Sequence, residues 1–309
     1  MKVCVIGGSG HIGRHLVPML VGDGCDVTIV TSGRTPIPSS GVWAKVAALT
    51  CDYRQGNLQW PECIRAIAAE VVIDIPGTDV PTTYLAARPA CEHFVACGSV
   101  WMFGEPKVVP TPEETQSPCP FLGYAIRYRE LLETLARAQA DGVAFTAIMP
   151  PNICGPGKIP LDGRGGRSLE AHAAHRRGEP VPLPEPGQTL IGPCDAEDVA
   201  QGFFLAVQKR PAAAGHIFNV GSRYALTVVQ FVETYGRIYG VAIPIEWHSW
   251  QEFATAISPD PGANFHFRAH MCPDLTKITT RLGYAPRYTP EQTMARAVEW
   301  MQREGMLAG

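Results

Sequence analysis

Val3-Cys-Val-Ile-Gly-Gly-Ser-Gly-His-Ile-Gly-Arg-His-Leu16 decides the fold of this chain. Its apolar opening, Val3 to Ile6, reads as a parallel strand buried on both faces, and Ile12, Leu16 and Leu20 then recur at the helical period. Gly7, Gly10 and Gly13 join the two. Glycine turns tightly and lets backbone approach a pyrophosphate, whose charge meets free N–H groups at a helix N-terminus. Gly7, Ser9, Gly10, His11, Ile12 and Gly13 are therefore the expected phosphate cradle of a dinucleotide. An ordinary strand-to-helix turn uses such glycines too; the early position and the second strand that follows, Val27 to Val30, favour the cradle.

Outward from this unit, strand-like runs at Val46 to Leu49, Val71 to Ile75, His93 to Ala96 and Phe145 to Met149 alternate with helical ones. That is the βαβ rhythm of an α/β fold with a Rossmann-like, doubly wound parallel sheet. Past Pro150 the texture changes to proline and glycine punctuation with one clear helix, about Ser168 to Arg177. A helix from Asp195 to Val207, capped by Asp195, and a strand from His216 to Val220 return to the first unit. A helix (Thr227 to Tyr239), a strand (Ile243 to Trp247) and a last helix (Pro290 to Arg303) complete a smaller C-terminal α/β lobe. The expected division is a nucleotide-binding domain over 1–150, with 191–222 returning to it, and a substrate lobe from 151–190 and 223–309.

The composition narrows the function classes. The 309 residues are 46% apolar and 18% charged, with a net charge of -3, so no basic surplus points to nucleic acid or an anionic membrane. No apolar run approaches the roughly 18 residues that span a bilayer. A first strand at Lys2 leaves no room for a leader, and the expected compartment is the cytoplasm. The ten cysteines include no Cys-x-x-Cys pair and read as small buried thiols. His172 with His175, and His266 with His270, share helix faces outside any His-Glu-x-x-His pattern, so no metal is expected.

Further blocks carry a resemblance. Cys97-Gly-Ser-Val-Trp-Met-Phe-Gly104, Gly123-Tyr124, Met149-Pro-Pro-Asn-Ile-Cys-Gly-Pro-Gly157, Asp195-Ala-Glu-Asp-Val-Ala200 and Phe218-Asn-Val-Gly221 stand in order after the glycine loop, with a weaker block over Asp274 to Pro286. Together the chain resembles the extended short-chain dehydrogenase/reductases, the NAD-dependent epimerase/dehydratase family, over nearly its full length. The resemblance implies a catalytic Ser99, five residues before Gly104, and a catalytic Tyr124. Transferring a hydride from an alcohol carbon needs a base for the hydroxyl proton, and the reverse reaction needs an acid. A tyrosine serves as both when its pKa falls from about 10 toward 7, at a cost of about 4 kcal/mol in differential stabilisation. The family supplies much of this with a Lys four residues after the Tyr. Here Tyr128 stands at that position with Arg127 beside it on the helix face. Arg127 or the oxidised nicotinamide is expected to provide the missing charge; the bland alternative is a solvated arginine and a decayed site.

The resemblance also assigns Asp52, Tyr53, Pro76, Gly77 and Pro150 to the cofactor and Trp101, Asn152 and Arg268 to the substrate. Where an NAD enzyme presents an acid after the second strand, Thr31-Ser32-Gly-Arg34 offers hydroxyls and a cation suited to a 2′-phosphate, favouring NADP over NAD. Val100 and Trp101 replace the acidic pair of sugar dehydratases, and Ile191 and Met149 replace arginines of nucleotide-sugar relatives. The expected activity is NAD(P)-dependent hydride transfer, as an epimerase or reductase, on a sugar, nucleotide-sugar or related hydroxy/keto metabolite. The expected partners are a small-molecule substrate and a second copy of the chain in a homodimer, with neither nucleic acid nor membrane. The rival is a non-catalytic dinucleotide-binding sensor or an RNA-binding protein on the same fold.

Overall fold

A computed structural model describes residues 1–307. The first part alternates β1 (Lys2–Ile6), α1 (Gly13–Gly22), β2 (Asp26–Thr31), β3 (Ala47–Thr50), α2 (Trp60–Ile67), β4 (Val71–Asp74), α3 (Val80–Ala87), β5 (His93–Cys97), α4 (Leu122–Asp141) and β6 (Ala144–Met149). Then come β7 (Asn152–Cys154), α5 (Leu169–Arg176), β8 (Val181–Pro184), β9 (Leu190–Ile191), β10 (Pro193–Asp195), α6 (Ala196–Gln208), α7 (Arg210–Ala213) and β11 (His216–Asn219). The rest holds β12 (Leu226–Thr227), α8 (Val228–Tyr239), β13 (Ile245–His248), α9 (Trp250–Glu252), α10 (Pro261–Arg268), α11 (Thr276–Leu282) and α12 (Pro290–Arg303).

Seven strands form one parallel sheet in the order β11-β6-β5-β4-β1-β2-β3. The order reverses between β1 and β4, which opens a crevice at the carboxyl ends of those strands. Alternation along β1 explains why both faces are covered. Val3 and Val5 pack with Leu16 of α1 and Phe203 of α6, whereas Cys4 and Ile6 pack with Trp60 of α2, Tyr84 of α3 and Leu131 of α4. A third core, with Phe231, Tyr235, Phe253, Phe267, Met294 and Val298, holds α8, α10 and α12 together.

Between β6 and β11 the chain leaves the sheet, pairs β7 with β10, and comes back beside β6 with His216 opposite Thr146. The expected strand at Ile243 starts only at Ile245, because Pro244 has no N–H for the ladder. Several short elements past β6 lie outside the expected strands and helices, β8 and α10 among them. β8 contains Pro182 and Pro184 and pairs with β13 alone, as a proline-bearing edge strand must. α10 is a short helix capped by Asp260, which accepts from the Ala263 N–H at 2.8 Å. Among the described residues no helix is long and apolar enough to cross a membrane.

Candidate active site

The crevice starts at the glycine loop. Gly7 adopts φ +77°, which favours glycine, and a Cβ on Gly13 would stand 2.4 Å from the Gly8 carbonyl oxygen. The Gly10 N–H donates to the Gly7 carbonyl at 2.9 Å, and the first turn of α1 holds no acidic residue. Backbone thus closes on itself beneath a helix end that favours negative charge, which fits the pyrophosphate of a dinucleotide. His11 lies in this loop with a buried, unpartnered Nε2. Burial and then the charge of Lys158 hold its imidazole neutral, with a pKa lowered to about 3.

At the end of β2 the Thr31 side chain is buried, not displayed. Its Oγ1 accepts from the Gly33 N–H at 3.2 Å and shares a hydrogen bond with Ser9 Oγ at 3.1 Å. Ser32 and the exposed Arg34 are the groups left facing outward. Asp52, beyond β3, is clasped by Arg54, whose hydrogen bonds hold its carboxyl below the usual range.

Ser99 follows β5 as the cap of a 3₁₀ turn over Val100–Phe103, where its Oγ accepts from the Trp101 N–H at 3.3 Å. Its own hydroxyl proton is left for another acceptor. Gly98 brings this turn against β6: a Cβ there would lie 2.3 Å from Met149 Sδ, and the Gly98 N–H donates to the Ile148 carbonyl at 2.8 Å. Tyr124 sits in the first turn of α4, where no acidic residue offsets the helix's positive end. One turn on, the Arg127 guanidinium carbon lies 5.9 Å from the Tyr124 ring centroid, and its Nη2 donates to the Pro76 carbonyl at 3.1 Å. The Arg127 Nε is buried without a partner. Asp74, at the end of β4, is fully enclosed nearby; burial raises its pKa to about 6, against the lowering pull of the Gly77 N–H and of Arg127.

Ile12, Ser99, Trp101, Tyr124, Arg127, Pro150 and Asn152 line one cavity of about 280 Å³. The sequence places them far apart, and the strand ends bring them together. Tyr128 is not among the lining residues. Its ring packs edge-on against Phe103 at 5.6 Å, and burial raises the pKa of its phenol. Arg268 is also absent from the lining; it is exposed and pairs with Glu105 at 3.3 Å. Lys158, Arg167 and His266 complete the wall. The position of Lys158 and His266 in the cavity was not legible in the sequence. The Gly-Pro-Gly-Lys158 run was the one available signal, whereas His266 comes from α10, whose helical pattern is weak.

Arg167 is partly committed to structure. Its Nη2 donates to Asn152 Oδ1 at 2.8 Å and to the Ile153 carbonyl at 3.1 Å. With its oxygen so engaged, the Asn152 amide turns its NH₂ donor away from Arg167. Lys158 is accessible to solvent yet ringed by protein. Loss of bulk water, then repulsion from Arg167, lowers its pKa to about 8. The His266 ring packs on Trp101, centroids 4.6 Å apart, and its Nδ1 is buried without a partner.

Comparison with known proteins agrees with this architecture. Residues 80–221 match the family model described as NAD dependent epimerase/dehydratase family. The chain is 27% identical over 305 residues to the chloroplast stem-loop binding protein of 41 kDa b of Arabidopsis thaliana, covering 93% of this chain and 75% of that protein. It is 25% identical over 328 residues to a UDP-glucose 4-epimerase of Corynebacterium glutamicum, covering 95% and 93%. Among solved structures, a UDP-glucose 4-epimerase from Stenotrophomonas maltophila with bound NAD and formylated UDP-arabinopyranose superposes with a TM-score of 0.75 at 18% identity, over the full length of both chains.

Proposed function

We propose that this chain is a member of the NAD-dependent epimerase/dehydratase family, whose model matches residues 80–221, and that it is an NAD(P)-dependent oxidoreductase or epimerase. Its substrate would be a sugar, nucleotide-sugar or related hydroxy/keto metabolite, reacting at a carbinol or carbonyl carbon. The observation that carries this reading is the meeting of Ser99 and Tyr124 in one cavity with Ile12 of the dinucleotide cradle. When bound, the nicotinamide supplies the hydride acceptor or donor. Tyr124 would take the hydroxyl proton or return it, and the Ser99 hydroxyl would donate to the same substrate oxygen. Arg127 would supply cationic charge beside the Tyr124 ring, and Trp101 and Asn152 would orient the substrate.

The cofactor we propose is NADP, with Ser32 and Arg34 on the 2′-phosphate. Titration of NADP(H) and NAD(H) tests this, and an NAD(H) preference that persists in Arg34→Ala rejects it. We also propose a homodimer through α3 and α4, since Leu85 and Leu132 on those helices are 51% and 39% exposed. Light scattering at micromolar concentration reads the assembly directly.

A second reading has one observation in its favour: the Arabidopsis relative aligned over 93% of this chain is by name a stem-loop binding protein. A net charge of -3 stands against it. Fluorescence anisotropy with a labelled RNA stem-loop separates the two. Salt-sensitive RNA binding without cofactor-dependent turnover on any carbinol would favour the second.

A further inference from the structure

The cavity beside Ser99 and Tyr124 has an unbalanced charge. Arg127, Lys158 and Arg167 line it, and no aspartate or glutamate does. None of the three takes part in an ion pair among the described residues. Arg127 is turned toward the Pro76 carbonyl and Arg167 toward Asn152, which leaves the Lys158 ammonium as the cation with no protein acceptor among the described residues. The crowding that makes Lys158 a poor cation alone is relieved by an anion placed against it. Asn152 adds an amide N–H donor held in orientation by Arg167.

Size and the shape of one wall limit what carries that anion. At about 280 Å³ the cavity falls just below the usual range of ligand sites, roughly 300 to 1,000 Å³, and Ile12 and Pro150 of the cofactor side share it with the substrate. Trp101 fills one wall, stacked on Phe121 at 5.3 Å, edge-on to Phe265 at 5.0 Å and tilted against His266 at 4.6 Å. Arg268, one of the residues expected to meet the substrate, is held outside by Glu105. We propose that the substrate is a compact hydroxy or keto acid, of monosaccharide size and bearing a carboxylate or phosphate, whose anionic group is held by Lys158 and the Asn152 amide. Arg167 is the positioning residue that turns Asn152 toward it. The assignment of this acid as substrate rests on the oxidoreductase or epimerase reading above; the contact with Lys158 does not.

The test is calorimetric titration of NADP-saturated protein with D-glucuronate, D-glucose 6-phosphate, D-glucose and UDP-glucose. At least one of the two acids binds, D-glucose binds at least about tenfold more weakly, and UDP-glucose binds no more tightly than the better acid. The glucuronate and glucose 6-phosphate arms tell carboxylate from phosphate. Lys158→Met, at an accessible position, weakens the acid by about tenfold or more, with the thermal midpoint and the NADP affinity held. Arg167→Lys, which keeps the charge but loses the fork to Asn152, weakens the acid while Asn152→Ala adds little further loss in that background. Tighter binding of UDP-glucose than of either acid, an acid affinity unmoved by Lys158→Met, or a loss in that variant that falls on NADP instead overturns the proposal. Failure of the chain to bind any nicotinamide dinucleotide refutes the oxidoreductase reading separately, because the same acid titrations on unloaded protein still report the Lys158 contact.

Discussion

At the scale of single residues, Tyr124 and Arg127 make different predictions. Tyr124→Phe removes only the phenol oxygen, so turnover is expected to vanish while cofactor affinity stays within about twofold. Ser99→Ala, which on the proposed function loses one donor to the substrate oxygen, is expected to cost on the order of 10²-fold in kcat. Arg127→Met deletes a charge 5.9 Å from the ring centroid of Tyr124, the acid–base group of the proposed function. At an effective dielectric near 20 that charge is worth about 3 kcal/mol before desolvation, so a comparable loss of about 10²-fold or more is expected in kcat. Steady-state kinetics with cofactor saturating checks all three, and full activity in Arg127→Met would mark that arginine as structural. The family resemblance, not local pattern alone, singled out Ser99 and Tyr124 by their spacing from Gly104, and the structure brings the two into one cavity. Tyr128 was harder to read: helical spacing gives the face a residue occupies, but only the position of Phe103 shows that the ring packs there. Lys158 and His266 were invisible as a group because they reach the cavity from segments whose meeting depends on closure of the whole chain.

At the scale of elements, Asp195 ties the returning helix to the last one. It caps α6 by accepting from the Glu197 N–H at 2.9 Å, and its other oxygen accepts from Thr293 Oγ1 at 2.9 Å and Arg296 Nε at 3.0 Å, both on α12. Arg296 also lies 3.9 Å from the Tyr288 ring centroid. Asp195 is wholly buried, so removing its cation leaves a carboxylate whose desolvation is uncompensated. Arg296→Met is therefore expected to destabilise the protein by about 3 kcal/mol, read as a lower urea midpoint. The Asp195 cap and the Pro290 start of α12 were both legible from sequence, as helix starts carry local chemistry. The bond between the two helices was not, since nothing local relates Asp195 to Arg296.

For the molecule as a whole, buried titratable groups set the response to acid. His93 and His175 are held to a pKa of about 4, and His11 and His266 to about 3, in each case chiefly by burial. A neutral histidine of this kind stabilises the fold fully above its unfolded value near 6.5 and loses that contribution as pH falls toward the folded value. Asp74 and Asp198, raised to about 6 mainly by burial, work in the opposite sense, because the fold takes up their protons before the unfolded chain does. His15, His172 and His216 are lowered as well and Glu113 is raised, so the histidines outnumber the carboxyls and the fold loses stability as the pH falls from roughly 6 to 4. Calorimetry should show the unfolding temperature dropping from pH 7 to pH 5, with a shallower slope in His93→Gln; a flat profile would contradict the balance. The return of β11 to the edge of β6 also matters while the chain is being made. Ribosomes release residues in order, so β6 emerges about 70 residues ahead of the strand that covers it. At about 5 to 20 residues per second its bare edge waits roughly 4 to 14 seconds. During that interval the nascent chain presents an open, apolar sheet margin, the stage at which a chaperone would be needed most.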